Sequence, residues 1–552
     1  MPNFLQDIFS RFAASPDRVV LREVRGDRFV ALTAGELHAL VETARRFVRA
    51  QRISAGERCG LIAANSIRWI AADLALMAEG IVVVPLYHRQ TAGELAGMLE
   101  DCQPRLVLTG DDETSRAIGA AWPGKNPPVA LTQIFPDLPD PAEPAAPRQA
   151  AASELLTIIY TSGTSGEPKG VCLTVANLDH MTGCTTERLN QLMASGAAPE
   201  QIFLYAPMNF AASWMLMLSA LLRESVLTLS TDLNRLADEI RLSAPHYFLN
   251  VPTLLERVKR AVEDNLAIQP RPVQSLYKKT REAWQRQNAG RAKPFDDFTL
   301  ALGRKLIFSK IKSRFGPNIR ALICGSAPLA PETQQWFLML GIPVLQAYGL
   351  TETTALCTLD DPRLPVEPGY VGRAVPGIEM RLAENEEIIV RGPNVFPGYW
   401  NRPEESGKVL RDGWFYTGDQ GEVNAAGNWR IIGRIKNLFV LNTGHKFAPE
   451  PVEDRLTRLL PAAQQIVLIG NGRSYVTMLV TGGLPSAAVQ TAIDTVNRDL
   501  PHYRQIRNFQ ILPEPFAPDS GLVTANGKLK RDAIAKRYDA EISAMYARKA
   551  SA

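Results

Sequence analysis

Leu155-Leu156-Thr157-Ile158-Ile159-Tyr160-Thr161-Ser162-Gly163-Thr164-Ser165-Gly166-Glu167-Pro168-Lys169-Gly170 is the stretch on which the fold of this chain turns. Its aliphatic and β-branched first part predicts a buried strand, and its hydroxyl- and glycine-rich second part predicts the loop that leaves it. Phosphate oxygens require several donors at close approach. Glycines let backbone N–H groups reach them, while Ser and Thr hydroxyls and the Lys169 ammonium add charge-assisted bonds. A Walker loop reads GxxxxGK[ST] and opens a helix, whereas here Pro168 precedes the lysine and Val171-Cys172-Leu173 predicts a returning strand. That order speaks against a kinase or ATPase of the P-loop kind. A plain polar surface turn gives no reason for so dense a set of hydroxyls, glycines and a lysine behind a core strand.

Outward from this stretch, helical and strand patterns alternate. Arg68 to Glu79 has helical spacing, Gly80 stops it, and Ile81-Val82-Val83-Val84-Pro85 predicts a buried strand. Ala321 to Cys324 predicts another strand, Pro331 suits a first helical turn, Glu332 to Leu340 is helical, Gly341 ends it, and Val344-Leu345 begins a further strand. Repeated β-loop-α units predict an α/β fold class. Pro136, Pro139, Pro141, Pro144 and Pro147 predict a surface linker. Near Gly433 to Lys436 the pattern changes to strands Ile466 to Ile469 and Val476 to Val480 around Gly470-Asn471-Gly472, followed by helices, which predicts a small α+β domain of about 115 residues.

A chain of 552 residues, 46% hydrophobic, exceeds what one core organises. The balance of 61 basic and 57 acidic residues, net +4, gives no sign of a nucleic-acid partner. The six cysteines form no CxxC pair and read as reduced and buried. Asp7 and Arg11 interrupt the apolar pieces at the start, and no run reaches the roughly 18 apolar residues of a membrane span, so a cytoplasmic enzyme is expected. One local excess stands out: Arg271 to Arg314 holds twelve Lys or Arg against three Asp or Glu. It suits a solvated helical face interleaved with Leu276, Trp284, Leu306 and Ile307, or a patch for peripheral membrane contact or an anionic ligand.

Thr161 to Gly170 resembles the signature of the adenylate-forming superfamily, which includes acyl-CoA synthetases, luciferases and peptide-synthetase adenylation domains, and the rest of that family's pattern follows in order. The resemblance implies a large N-terminal domain of layered α/β subdomains over residues 1–433 and a small mobile α+β lid over 434–552. It assigns Thr161, Ser162, Gly163, Thr164, Ser165, Gly166 and Lys169 to the phosphates of ATP. Gly325-Ser326-Ala327 and Gln346-Ala347-Tyr348-Gly349 resemble the adenine-binding segments, with Tyr348 against the purine; Thr351 meets the α-phosphate and Glu352 holds Mg²⁺. Asp419, in Tyr416-Thr417-Gly418-Asp419, and Arg434 take the ribose, with Ile431 beside the nucleotide. Lys436 is the hinge, and Lys528, in Thr524-Ala525-Asn526-Gly527-Lys528, is the lysine that enters the site for catalysis.

The same resemblance implies that an acid, ionised near neutral pH, attacks ATP, and that Lys528, Thr351, Glu352 and Lys169 offset the repulsion between two anions. Coenzyme A is the implied acceptor, with Gly444, His445 and Lys446 on the thiol side. A carrier protein or an amine as acceptor stays open, as does a homologue that binds nucleotide without chemistry. Where many relatives have Ser-His at the acyl entrance, this chain has Asn209-Phe210; Phe210, Ala211, Ser213 and Trp214 carry no cation, which favours a hydrophobic acid, although the run reads equally as a core helix. Arg304 to Lys310 and Gly470 to Tyr475 resemble the long-chain acyl-CoA synthetase branch.

Overall fold

The computed structural model describes residues 3–124, 126–135, 145–162, 167–193, 199–442, 445–517, 520–523 and 529–547. The chain is α/β and divides into two compact units. One comprises Met1–Met380, Val390–Phe415 and Val423–Trp429; the other comprises Arg381–Ile389, Tyr416–Glu422 and Arg430–Ala552. Segments before residue 434 thus group with the second unit, because the strands Glu387–Arg391, Trp414–Val423 and Trp429–Arg434 are members of one sheet, and a ladder binds strands whatever their separation in sequence. Four of the five linker prolines lie outside the described residues.

Two sheets organise the first unit. Counted over the described residues, one has nine strands, and its middle six run parallel: Val344–Tyr348, Leu322–Cys324, Tyr247–Asn250, Glu200–Leu204, Ser225–Leu229 and Val19–Arg25. The other has six strands, five of them parallel, and ends on the hairpin of Leu155–Ser162 with Pro168–Thr174. Parallel strands covered on both faces are buried at every residue, as in the apolar Val82–Leu86 and in Ser225–Leu229, where Ser225 Oγ donates to Ala220 O. The expected helices form: Ile67–Ala78 starts on a Ser66 cap, and Pro331–Met339 starts on its proline. Gly80 and Gly341, both at φ +75°, end them in the left-handed region.

Helices Pro252–Ala267, Arg271–Asn288 and Asp296–Gly303, the last continuing to Lys312, cover a core built on Phe203, Phe248, Trp336 and Phe337. Leu276 and Trp284 are partly buried against that core and Ile307 is inside it, whereas Leu306 is exposed. Among the described residues no helix is long and apolar enough to cross a membrane. The cysteines are free; Cys172 and Cys184 are half-buried and the other four buried.

In the second unit, Gln465–Ile469 and Val476–Thr481 pair antiparallel, and Ile506–Leu512 joins parallel to the latter. Side chains alternate between two cores: Ile466, Leu468, Met478 and Val480 meet helices Glu450–Leu459 and Ser486–Asn497, while Val467 and Leu479 meet Arg531–Arg537 and Asp539–Ala547.

One buried carboxyl links two helices of the first unit. Trp214 Nε1, on Ala211–Leu221, donates to Asp73 Oδ2 at 2.7 Å, and burial raises the Asp73 carboxyl to about 7. Between about pH 4 and pH 7 the folded chain therefore keeps a proton that the unfolded chain has released, so this contribution to stability is lost as pH rises through that window. Asp73→Asn, which preserves the acceptor for Trp214, is expected to match the parent in thermal unfolding near about pH 4 and to exceed it near about pH 8; an equal difference at both values would contradict the assignment.

Candidate active site

The glycine-rich stretch joins the two strands of a hairpin, with Thr161 opposite Lys169 and Ser162 opposite Pro168. Gly163, Thr164, Ser165 and Gly166, together with the side chain of Ser162, lie outside the described residues. The base of the loop is tightly constrained. A Cβ on Gly170 would fall 2.6 Å from Ile158 Cγ2 and 3.2 Å from Trp400 Cβ, so the segment Gly398 to Trp400 can run directly beside the returning strand. Trp400 N–H donates to Gly170 O at 2.7 Å, and Cys172 N–H donates to Gly398 O at 3.2 Å. Tyr160 OH donates to Asp101 Oδ2 at 2.6 Å, and Arg402 pairs with the same carboxylate at 2.9 Å. Asp101 thus fastens both the hairpin and the start of helix Pro403–Val409.

These fastenings put three functional groups in line. Lys169 Nζ lies 2.5 Å from Glu405 Oε2 and 5.3 Å from the centre of the Tyr399 ring, and Tyr399 OH donates to Glu352 Oε1 at 2.8 Å. The ammonium groups of Lys169 and Lys408 hold the Glu405 carboxyl down to about 2. Tyr399 therefore joins Lys169 on one ring face to the Glu352 carboxylate through its hydroxyl.

Glu352 and Thr351 lie on the short turn Thr351–Thr353 that follows Val344–Tyr348. The turn is possible only because Gly349 has no side chain: a Cβ there would stand 2.2 Å from Ala355 O. Thr354 and Ala355 then adopt left-handed φ values of 51° and 79°. Asn394, fully buried, secures the turn, donating to Thr353 O and Leu356 O and accepting on its own carbonyl from Thr354 Oγ1 at 2.8 Å. Strand pairing sets Gly325 against Ala347, whose carbonyl oxygen is 3.2 Å from where a Gly325 Cβ would lie. The next residue, Ser326, is exposed at φ 72°, and Ala327 is exposed beside it. Tyr348 is half-buried, whereas the Gln346 side chain is buried and donates to Gln334 and to Tyr370 O.

In the second unit Asp419 is buried and receives Arg434 Nε on Oδ1 at 2.7 Å. Gly418, at φ 71°, turns the strand here, and Thr417 Oγ1 accepts from Asp419 N–H at 3.0 Å. Ile431 shares the strand of Arg434, and Lys436 is exposed on the turn Ile435–Asn437. His445 is exposed and stacks on Tyr503 with centroids 4.2 Å apart. Gly444, the Lys446 side chain and Lys528 lie outside the described residues. The segment that carries Lys528 is closed at its base by the bridge between Val523 and Leu529, and both oxygens of Glu453 accept from the fork of Arg531.

Of the residues expected at the acid, Phe210 is half-buried at the start of Ala211–Leu221, with the Tyr87 ring 6.1 Å away. Ala211, Ser213 and Trp214 are buried, the last committed to Asp73. A cavity of about 830 Å³ opens beside Tyr87, lined also by Arg25, Arg68, Arg89, Tyr205 and Pro207, and includes none of the expected site residues.

Tyr399, Glu405, Asn394, Asp101, Glu453 and Arg531 are additions that sequence reasoning missed. Glu405 and Tyr399 lie more than 200 positions from Lys169, and only the cluster Gly398-Tyr399-Trp400 with Pro403 marks their stretch as a turn entering a helix. A lone carboxylate presented beside phosphate-binding groups suits a magnesium ion, which takes one or two protein oxygens and leaves the remainder to phosphate and water. No group of three or more His, Cys, Asp or Glu able to hold a metal occurs among the described residues.

A glycine-rich loop on a strand hairpin, an aromatic-bearing strand leading to a hydroxyl-carboxylate turn, and a carboxylate-arginine pair in a separate small unit define a nucleotide-dependent enzyme of the adenylate-forming class. The chain belongs to the AMP-binding enzyme family: that family's model matches residues 8–400, and the model of the AMP-binding enzyme C-terminal domain matches 436–550. It is 28% identical to a long-chain-fatty-acid–CoA ligase of Mycobacterium bovis over 98% of this chain and 96% of that one, and 26% identical to long chain acyl-CoA synthetase 3 of Arabidopsis thaliana over 96% and 90%. Among solved structures, o-succinylbenzoate CoA synthetase of Bacillus subtilis in complex with its acyl-adenylate intermediate shares the fold, with a TM-score of 0.74 at 20% identity over 97% of this chain and 98% of that one.

Tyr399→Phe keeps the ring beneath Lys169 and removes the hydroxyl from Glu352. It is expected to weaken calorimetric binding of magnesium–ATP about tenfold, the value of one hydrogen bond to a charged group, and to leave binding of metal-free ATP unchanged. Equal weakening of both would assign Tyr399 to the nucleotide rather than to the carboxylate.

Proposed function

We propose that the chain activates a hydrophobic carboxylic acid with ATP as an acyl-adenylate, releasing pyrophosphate, and transfers the acyl group to the thiol of coenzyme A. The observation that carries this reading is the line from Lys169 through Tyr399 to Glu352, which sets an ammonium and a carboxylate on one ring. A fatty acid has a carboxyl pKa near about 4 to 5 and is already an anion at neutral pH, so it needs no general base. Bringing that anion to the α-phosphate is the chemical difficulty, and positioned cations and donors answer it.

In this reading the acid oxygen forms a bond to the α-phosphorus as the bond to the bridging oxygen breaks and pyrophosphate departs. Lys169 leaves Glu405 for the phosphates, Thr351 donates to the α-phosphate, and Tyr399 keeps Glu352 oriented. When bound at Glu352, Mg²⁺ supplies positive charge to the phosphate oxygens. Tyr348 offers its face to adenine, and Asp419, oriented by Arg434, accepts from the ribose hydroxyls. Lys528 serves the first half-reaction. Rotation about Lys436 then exchanges it for the thiol side at Gly444, His445 and Lys446, where the thiolate attacks the acyl carbonyl and AMP leaves. The names of these relatives support a long-chain fatty acid as the substrate.

Purified protein is expected to support exchange between ATP and pyrophosphate in the presence of a fatty acid, and to form a thioester when coenzyme A is added. Absence of exchange with every acid in a panel of chain lengths and aromatic acids would overturn the proposal, and exchange followed by transfer only to a carrier protein would overturn its second half. Lys528→Ala is expected to slow exchange by about 100-fold or more while sparing thioester formation from a supplied acyl-adenylate. Equal loss in both half-reactions would contradict the assignment of that lysine to the first.

A further inference from the structure

The basic stretch between Arg271 and Arg314 carries an apolar feature that the core does not use. From Phe295 the chain enters Asp296–Gly303 and continues helically to Lys312. One face of this segment is inside the protein: Leu300, Ile307, Phe308 and Ile311 are buried. It is seated too closely to turn, since a Cβ on Gly303 would fall 2.2 Å from Thr280 Oγ1. The other face presents Phe295, Phe298, Leu302 and Leu306, which are 81%, 67%, 36% and 48% exposed. Phe298, Leu302 and Leu306, spaced four residues apart, lie along a single stripe, which Phe295 precedes.

Charge around this stripe is one-sided. Arg291, Lys293, Arg304, Lys305, Lys310 and Arg314 are all exposed. Of the nearby acids, Asp296 is buried, with Arg286 Nε donating to its Oδ2 at 3.0 Å, and Asp297 is exposed and accepts from Gln287 on the neighbouring helix. Phe295 stands out because its backbone is left-handed, at φ 72°, a conformation that bulky residues avoid. The Asp296 carboxylate, accepting from Lys293 N–H at 2.8 Å, helps fix that turn.

We propose that this segment docks onto the surface of an anionic lipid bilayer, with Phe295, Phe298 and Leu306 entering the headgroup region and the surrounding cations meeting lipid phosphates. Projecting aromatic and aliphatic side chains ringed by Lys and Arg match an interfacial helix, in which apolar burial and attraction to anionic lipid act together. Because Arg291, Lys293, Arg304, Lys305, Lys310 and Arg314 lie on both sides of the stripe in sequence, the charge complement it requires is continuous and negative. Docking is independent of turnover, so it stands or falls apart from the reaction proposed above.

Co-sedimentation of the full chain with vesicles, without ATP or acid, tests this. Binding is expected to vesicles of phosphatidylcholine with phosphatidylglycerol, to be weaker to phosphatidylcholine alone, and to fall with added salt. Phe295→Ser with Phe298→Ser is expected to weaken binding about tenfold or more, as is Lys293→Glu with Lys305→Glu, while both double variants retain the parent's melting temperature and its exchange activity on a short-chain, freely soluble acid. The proposal is overturned if the parent ignores anionic vesicles or if the variants bind them as the parent does. It is equally overturned if the Phe variant changes only the sedimentation coefficient of the protein, which would make the stripe an interface between protein chains.

Discussion

The close approach at Gly170 is the constraint on which the first unit's site depends. Because nothing projects from that backbone, a segment more than 200 residues further along the chain can lie against the returning strand and bond to it through Trp400 and Cys172. That contact delivers Tyr399 between Lys169 and Glu352, and Arg402, held by Asp101, aims the helix that bears Glu405. Gly349 performs a comparable service on the other side, admitting the backbone of Ala355 and so shaping the turn that presents Thr351 and Glu352. Both glycines serve by absence, and a methyl group at either would separate elements that the site needs in register.

Both units use buried sheets, but their sequences signal it differently. Some parallel strands of the first unit are apolar without interruption, and Val82–Leu86 and Leu322–Cys324 are plain from composition alone. In the second unit the three-stranded sheet is covered by helices on both faces as well, and Gln465–Ile469 and Val476–Thr481 again read as apolar runs, bounded by the Gly470-Asn471-Gly472 turn. What could not be read was the membership of Arg381–Ile389 and Tyr416–Glu422 in the second unit, since pairing between strands distant in sequence leaves no local periodicity.

Much of the candidate site was legible for a similar reason. Loops that bind phosphate need unusual local compositions, and Thr161 to Gly170 and Tyr348 to Glu352 have them. Side chains that orient those groups need only one carboxylate, amide or hydroxyl at the right point in space, and Asn394, Asp101 and Glu453 look like ordinary polar residues in the sequence. Trp214 shows the limit from the other side: an apolar run reads equally as a wall for a ligand or as packing, and in the folded chain its indole is committed to Asp73. Leu306 shows it again, since helical spacing alone does not reveal which of two apolar faces is turned inward.

The pairing of Lys169 with Glu405 also bears on selectivity among anions. An uncovered ammonium beside a glycine-rich loop would attract any phosphate or sulfate in the cell, and the chain would spend much of its time blocked by ions that lead nowhere. With a carboxylate already in place, a newcomer must displace a resident partner, which a single inorganic ion does poorly and a chelated triphosphate, gripping several donors together, does well. Lys408, bonded to the other oxygen of Glu405 at 2.5 Å, would keep that carboxylate paired were Lys169 to leave it, so such an exchange would strand no charge.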